Sequence, residues 1–256
     1  GSSDLWLDWR FSVHRNHISV GSIPFLTWSL ERGVAEVLSM AGLRNGTHVH
    51  FANSYNVALA SRDTRYSAVF ETGSWNFADG RYVSLASRFL SSTSSLPQVR
   101  GPSFFPECLR VGQARGTRHF LLGSTPETLS RLKDRILQRF PDALIVGVLS
   151  PPFRPLTKCD MQDILDCIRE ADADIVWIGM GTPKQDFIGK EISEKTGIVT
   201  ATVGAAFDFV AGTLPEAPLL IRSAGLEWLF RLLSEPRRLW RRYFFGNLRF
   251  LHTIAR

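Results

Sequence analysis

The chain predicts an α/β fold, a mostly parallel sheet flanked by helices, and three observations carry that prediction. Apolar runs of strand length alternate with amphipathic runs of helix length along most of the 256 residues. The run Ala173-Asp-Ile-Val-Trp-Ile-Gly-Met-Gly-Thr-Pro-Lys-Gln185 is an almost continuously apolar segment that empties into a glycine turn and then into a helical pattern. Strands that read this way are buried on both faces of a parallel sheet. A second unit of the same kind follows at once, with a strand at 198–203 and then Gly204-Ala-Ala-Phe-Asp-Phe-Val-Ala-Gly212.

The elements follow in order. Residues 18–25 read as an early strand and turn, and Ser29 as the N-cap of an amphipathic helix over 30–41, ended at 42–46. A strand is expected over 47–52 with Asn53 at its exit, then a helix over 56–63 and a short apolar piece at 67–70. Gly73-Ser-Trp-Asn-Phe-Ala-Asp-Gly80 reads as a turn-rich loop ahead of a helix over 81–90, and 91–95 as a polar linker too short to separate domains. A helix over 104–113 precedes a strand at 119–122, and Ser124-Thr-Pro126 marks the start of a helix over 127–140. A strand at 143–148, a proline-rich loop at 150–155 and a helix over 157–170 lead to the strand at 174–178 and the helix over 185–195. Repeated strand–helix alternation implies right-handed crossovers and a Rossmann-like sheet.

Composition sets limits on function. A hydrophobic content of 44% and a charged content of 21% belong to a folded protein with an ample core. Cys108, Cys159 and Cys167 show no metal-ligand spacing, and an odd, sparse count suits a reducing compartment. No signal peptide and no apolar run of ~18 residues is visible, so a soluble or peripheral protein is expected. The charge is uneven: residues 222–256 hold eight arginines against two glutamates, which is the whole +6 of the chain, together with seven aromatic residues. Such a segment suits a membrane surface or nucleic acid, or a helix that buries its aromatics and solvates its arginines. It is expected as a helical, cationic appendage, 222–256, to an α/β core, 4–221.

The turn at 179–185 has a physical reading of its own. Backbone N–H groups around Gly179, Gly181 and Thr182, a helix N-terminus, the Lys184 cation and the Gln185 amide converge there, which suits phosphate. An ordinary strand-to-helix loop remains the alternative.

These segments, followed by Gly225-Leu-Glu-Trp-Leu-Phe-Arg-Leu-Leu-Ser-Glu-Pro-Arg-Arg238, resemble the WecG/TagA/CpsF family of bacterial glycosyltransferases from about Val20 to about Arg242. The resemblance implies an inverting transferase of surface-polysaccharide synthesis. It would move a sugar from a UDP-sugar to a polyprenyl-diphosphate-linked acceptor at the cytoplasmic face of the bacterial inner membrane. It places the proposed general base on Asp79 and an active-site asparagine on Asn53, and it matches Arg100 to a family arginine near the site. It also assigns Asp208, beside Phe207 in the Gly204 turn, to the uridine. Arg231, Arg238 and Arg241 fall in the family's appendage, which docks on the membrane and closes over the site. By themselves an Asp-Gly pair and an asparagine after a strand are more often turn residues. Two departures stand out. Phe51 occupies the position of a family threonine, and Ala205-Ala206 that of a Gly-Gly pair.

No cofactor and no metal are expected. The D-x-D of Asp172 and Asp174 precedes its strand, at the end of the sheet away from the ligand crevice, and reads as capping. Cations would then come from the C-terminal arginines. Arg238 and Arg241 share a helical face, and Arg231 joins that stripe unless Pro236 breaks the helix. The expected partners are the UDP-sugar, the lipid-linked acceptor and an anionic membrane surface, with self-association left open. The alternative from another class is an α/β protein that lays its basic aromatic tail along nucleic acid. It leaves the Gly-Thr-Pro-Lys-Gln and Asp-Gly motifs without a use.

Overall fold

The computed structural model describes residues 17–90 and 95–254, with residues 238 and 241–245 described by backbone alone. In chain order the elements are β1 His17–Val20, β2 Ile23–Leu26, α1 Leu30–Met40, β3 His48–Ala52, α2 Ser54–Ala60, α3 Thr64–Ser67, β4 Ser74–Ala78, α4 Arg81–Leu90 and α5 Gly101–Gly112. There follow β5 Arg118–Gly123, α6 Pro126–Arg139, β6 Leu144–Leu149, α7 Lys158–Glu170, β7 Ile175–Gly179, α8 Lys184–Thr196, β8 Val199–Thr202 and α9 Ala206–Ala211. The chain closes with α10 Leu219–Ser223, α11 Glu227–Ser234 and α12 Pro236–Ile254. The expected α/β class holds: the main sheet has six strands in the order β4-β3-β8-β7-β5-β6, and the pairs β3–β8, β8–β7, β7–β5 and β5–β6 are parallel.

The chain divides into two compact units, one drawn from Gly1–Ser29, Ala52–Val99 and Ala217–Arg256, the other from Leu30–Phe51 and Arg100–Glu216. The second unit is built on β7, whose Ile175, Val176, Trp177 and Ile178 are fully buried. Val176 and Ile178 pack with Ile164, Ile168, Ile188 and Ile192 of α7 and α8. Trp177 lies on the other face, 4.8 Å from the Phe105 ring, and Phe105 in turn lies 5.5 Å from Phe207. The Trp177 indole N–H donates to His119 Nδ1 at 3.1 Å. Burial pushes that imidazole down to about 4, so it is neutral and able to accept.

Helix starts in this unit are set by local chemistry. Thr125 caps α6 by accepting from Thr128 N, with Pro126 at the first helical position. Thr157 and Asp160 form a reciprocal capping box on α7. Arg154 grips Asp160 and holds its carboxyl far below the usual range.

In the first unit β1 and β2 form an antiparallel hairpin. Val20, Ile23, Phe25, Val57, Tyr66, Phe70 and Val83 cluster with Phe250, so α12 contributes to this core. Gly246 permits the approach of α12 to α2: a Cβ there would lie 3.1 Å from Tyr55 Cδ2.

Two expectations need correction. The 73–80 segment is not a loop, because Ser74–Ala78 is strand β4. Trp75 and Phe77 are buried, Trp75 meets Trp28 edge-on at 5.1 Å, and Asn76 Nδ2 donates to the carbonyls of Pro24 and Phe70. These long-range partners override the local turn composition. The second concerns Arg231 and Arg238, which do not share one helix: α11 ends at Ser234 and α12 begins at Pro236.

Candidate functional site

In the first unit a cleft gathers Asn53, Asp79, Arg81, Glu227, Trp228 and Arg231 along its walls. Asn53 and Asp79 stand just beyond the ends of β3 and β4, and the Asp79 N–H donates to Ala52 O at 2.9 Å. Gly80, at φ +117, turns the chain straight into α4, and a Cβ there would lie 3.6 Å from the Asn53 Cβ. The Asn53 side chain caps α2: its Oδ1 accepts from Tyr55 N, and Asn56 completes a capping box. Its amide nitrogen has no acceptor among the described residues, which leaves a donor for a hydroxyl in the cleft.

The C-terminal helices are joined to this cleft by specific contacts. Arg81 donates to the carbonyl of Ser223, and the Trp228 indole N–H donates to Tyr82 Oη at 2.9 Å. Gly225, at φ +77, makes room for Arg81, since a Cβ there would sit 2.8 Å from Arg81 Cδ. Asn247 reaches the wall from α12 and accepts from Ser54 Oγ at 3.3 Å.

Of the expected residues, Asn53, Asp79 and Arg231 come together here. The side chains of Arg238 and Arg241 lie outside the described residues. Sequence reasoning missed Arg81, Arg222, Trp228 and the second carboxylate, Glu227. Arg81 stands two residues after Asp79, a legible signal, whereas Glu227 and Trp228 are brought in by the fold alone.

Arg100 belongs to the second unit, where it precedes α5 and pairs with Glu216 at 2.9 Å, largely buried. The other expected residues also lie in this unit. The chain leaves β5 toward β6 and leaves β7 toward β8, so strand order reverses between β5 and β7. Open sheets bind ligands outside the carboxyl ends of such a pair. There Gly123 and Gly179 approach so closely that a Cβ on Gly123 would lie 2.5 Å from Gly179 O, and Ser124 N donates to that same oxygen. The exit of β5 is a part of the crevice that the sequence pattern did not single out.

The turn after β7 uses its polar groups differently from the expectation. Gln185 is buried, its Oε1 accepts from Gly181 N at 3.0 Å, and its Nε2 donates to Thr202 O at 3.4 Å. Gly204 N is bound to Ile178 O. Gln185 therefore shapes the turn, and one of the N–H groups expected for phosphate, that of Gly181, serves the loop. Phe207 covers Gly179, where a Cβ would lie 2.6 Å from the ring. Thr182 stands in the same turn, Lys184 Nζ donates to Arg154 O at 3.1 Å, and Asp208 accepts from Thr213 Oγ1 at 3.2 Å. Beneath the turn the buried Asp186 carboxylate takes Thr202 Oγ1 at 3.2 Å and meets His50 Nδ1 at 3.1 Å, with His48 behind at 2.8 Å. This chain of polar groups ties the start of α8 to β3 and β8.

Phe51 is buried against Phe104 at 5.0 Å, so it acts as packing. Asp172 and Asp174 are held by Arg44 and Arg118 before β7 begins. Among the described residues no group of three or more His, Cys, Asp or Glu side chains is placed to hold a metal ion. No helix among them is long and apolar enough to cross a membrane.

One comparison bears on this arrangement. Residues 18–256 match the model of the glycosyl transferase WecG/TagA/CpsF family, a span that takes in both units, the Asp79 cleft and the β7 and β8 turns. Membership implies a sugar-nucleotide donor and a lipid-linked acceptor. The chain belongs to the WecG/TagA/CpsF family of glycosyl transferases, enzymes of surface-polysaccharide synthesis.

Proposed function

We propose that this enzyme transfers a sugar, with inversion, from a UDP-sugar to a polyprenyl-diphosphate-linked saccharide. The observation that carries the reading is the cleft in which Asp79 faces the same space as Asn53, Arg81 and Arg231. Asp79 takes the proton of the acceptor hydroxyl while that oxygen attacks the anomeric carbon. The bond from that carbon to the diphosphate breaks, and UDP leaves with the electron pair. Attack opposite the leaving group turns an α-linked donor into a β-linked product. Asn53 Nδ2 orients a sugar hydroxyl, and arginines offset the charge of phosphate. The donor nucleotide is assigned to the second unit, at the turns of Gly179–Gln185 and Gly204–Asp208.

Metal-free chemistry is part of the proposal. It draws support from Asp172 and Asp174, whose carboxylates are already engaged by two arginines. UDP binding should then survive EDTA in calorimetry, and a strict requirement for a divalent ion would overturn this part.

Peripheral docking on an anionic membrane is assigned to residues 222–256. Their arginines are accompanied by exposed Leu233, Trp240, Leu248 and Leu251.

Asp79→Asn keeps the shape and removes the basicity, so turnover should fall at least ~100-fold with UDP affinity nearly unchanged. Because Glu227 shares the cleft, Glu227→Gln is the comparator. The assignment to Asp79 fails if Glu227→Gln abolishes turnover while Asp79→Asn spares it.

A further inference from the structure

The first unit holds a second cavity, which borders the Asp79 cleft and shares Arg81, Gln98 and Arg222 with it. Among the described residues its polar lining is Arg81, Ser84, Arg88, Ser95, Arg222 and Ser223, with Gln98 and no carboxylate. Arg81, Ser84 and Arg88 fall on one stripe of α4, three and then four residues apart. Ser84 Oγ is buried and has no hydrogen-bond partner among the described residues. Arg88 makes no ion pair among the described residues. Three guanidinium groups and free hydroxyl capacity around one space form a receptor for a phosphate oxyanion.

The residues next in sequence to Arg88 and Arg222 narrow the source of that phosphate. Phe89 and Leu90 follow Arg88 directly and are 90% and 47% exposed. Leu219 and Leu220 stand one turn or less before Arg222, at 73% and 83%. A soluble phosphate accounts for the arginines and leaves these four large apolar side chains in water without a use. A lipid headgroup accounts for both, because its phosphate sits among cations while the apolar side chains enter the acyl boundary.

We propose that this cavity binds the headgroup phosphate of an anionic membrane phospholipid, with Phe89, Leu90, Leu219 and Leu220 inserted beside it. The site adds α4 to the membrane contact assigned above to residues 222–256. It rests on the peripheral-docking part of that reading and is independent of the donor and acceptor sugars.

The test uses the full chain and sedimentation with vesicles of phosphatidylcholine, with or without phosphatidylglycerol. Arg88→Ala should weaken partitioning onto phosphatidylglycerol vesicles by about five-fold, the worth of one basic residue at an anionic surface, and Arg88→Lys should restore most of it. Phe89→Ser should weaken it as well. Hydrogen-exchange protection of β1, β2 and α2 should be unchanged in all three variants, which shows that the first unit is folded. Wild-type partitioning by both Arg88→Ala and Phe89→Ser overturns the proposal, even if Arg231→Ala shows that the C-terminal segment docks. Inorganic phosphate that displaces the protein from vesicles at low millimolar concentration would identify a free-phosphate site and also overturn it. So would partitioning that needs polyprenyl diphosphate and ignores phosphatidylglycerol. If no variant and no tail deletion alters vesicle binding, peripheral docking itself fails.

Discussion

The two units bury apolar surface by different means, and the difference bears on where chemistry is carried. The second unit is layered and regular: β7 lies between α7 and α8 on one face and Phe105 and Phe207 on the other, with Gly181 N, Gln185 and Gly204 N of its turns engaged. The first unit is gathered from three separated stretches, and its core closes only when Phe250, from the last helix, reaches residues of β1, β2 and α2. Its cleft retains charge, with Asp79, Glu227, Arg81, Arg222 and Arg231 around one space. A regular sheet supplies fixed geometry. A unit closed by a distant segment can place a carboxylate and cations from unrelated parts of the chain side by side.

The largest expected effects come from cutting each core at its centre. Trp177→Ala and Phe250→Ala should each cost about 3–5 kcal/mol. Hydrogen exchange should localise the damage: loss of protection in β5, β7 and β8 for the former, and in β1, β2 and α2 for the latter. UDP affinity should survive Phe250→Ala and suffer with Trp177→Ala, and the reverse pattern would break the division of roles. Phe250 in the core also changes what removal of the C-terminal segment does. Deleting 236–256 should expose Val20, Phe25 and Val57, so it destabilises the first unit in addition to removing docking residues.

A smaller effect separates the units by pH. His119 is buried in the second unit with its pKa near 4, below the ~6.5 of an unfolded imidazole. Between those values the unfolded chain binds a proton that the folded chain does not. Stability therefore falls as pH drops through that window, by about 3 kcal/mol at most. Thermal melts of the wild type and His119→Gln from pH 7 to pH 4 check this. The variant should show the shallower slope whatever its stability at pH 7.

The smallest effect tests the join between α4 and the C-terminal helices. Gly225→Ala puts a side chain at φ +77 and pushes on the flexible Arg81, so it should cost about 1–2 kcal/mol. It should also raise the KM for the lipid-linked acceptor, with UDP binding unchanged. An unaltered acceptor KM would show that the Arg81–Ser223 contact does not shape the cleft.

Much of the architecture was legible in the chain because its signals are local. A continuous apolar run marked β7, Ser124-Thr-Pro126 and Thr157 marked helix starts, and α4 has the expected bounds. The Asp-Gly pair at 79–80 was legible as a turn and gained its chemical meaning through resemblance. Strand β4 was not legible, because Trp75, Asn76 and Phe77 are held by Trp28 and Pro24, partners far away in sequence.

What the sequence determined by itself is the alternation of elements, the glycine turns, and the concentration of positive charge after residue 221. Each follows from periodicity, backbone conformation or composition within a short window. Only the tertiary structure decided that Glu227 and Trp228 share a cleft with Asp79, that Gln185 closes its own turn, and that Arg88 and Arg222 line one cavity. Those relations depend on packing between segments up to about 150 residues apart in the chain, as the Trp228–Tyr82 hydrogen bond shows, and no local pattern of side chains encodes a distance of that kind.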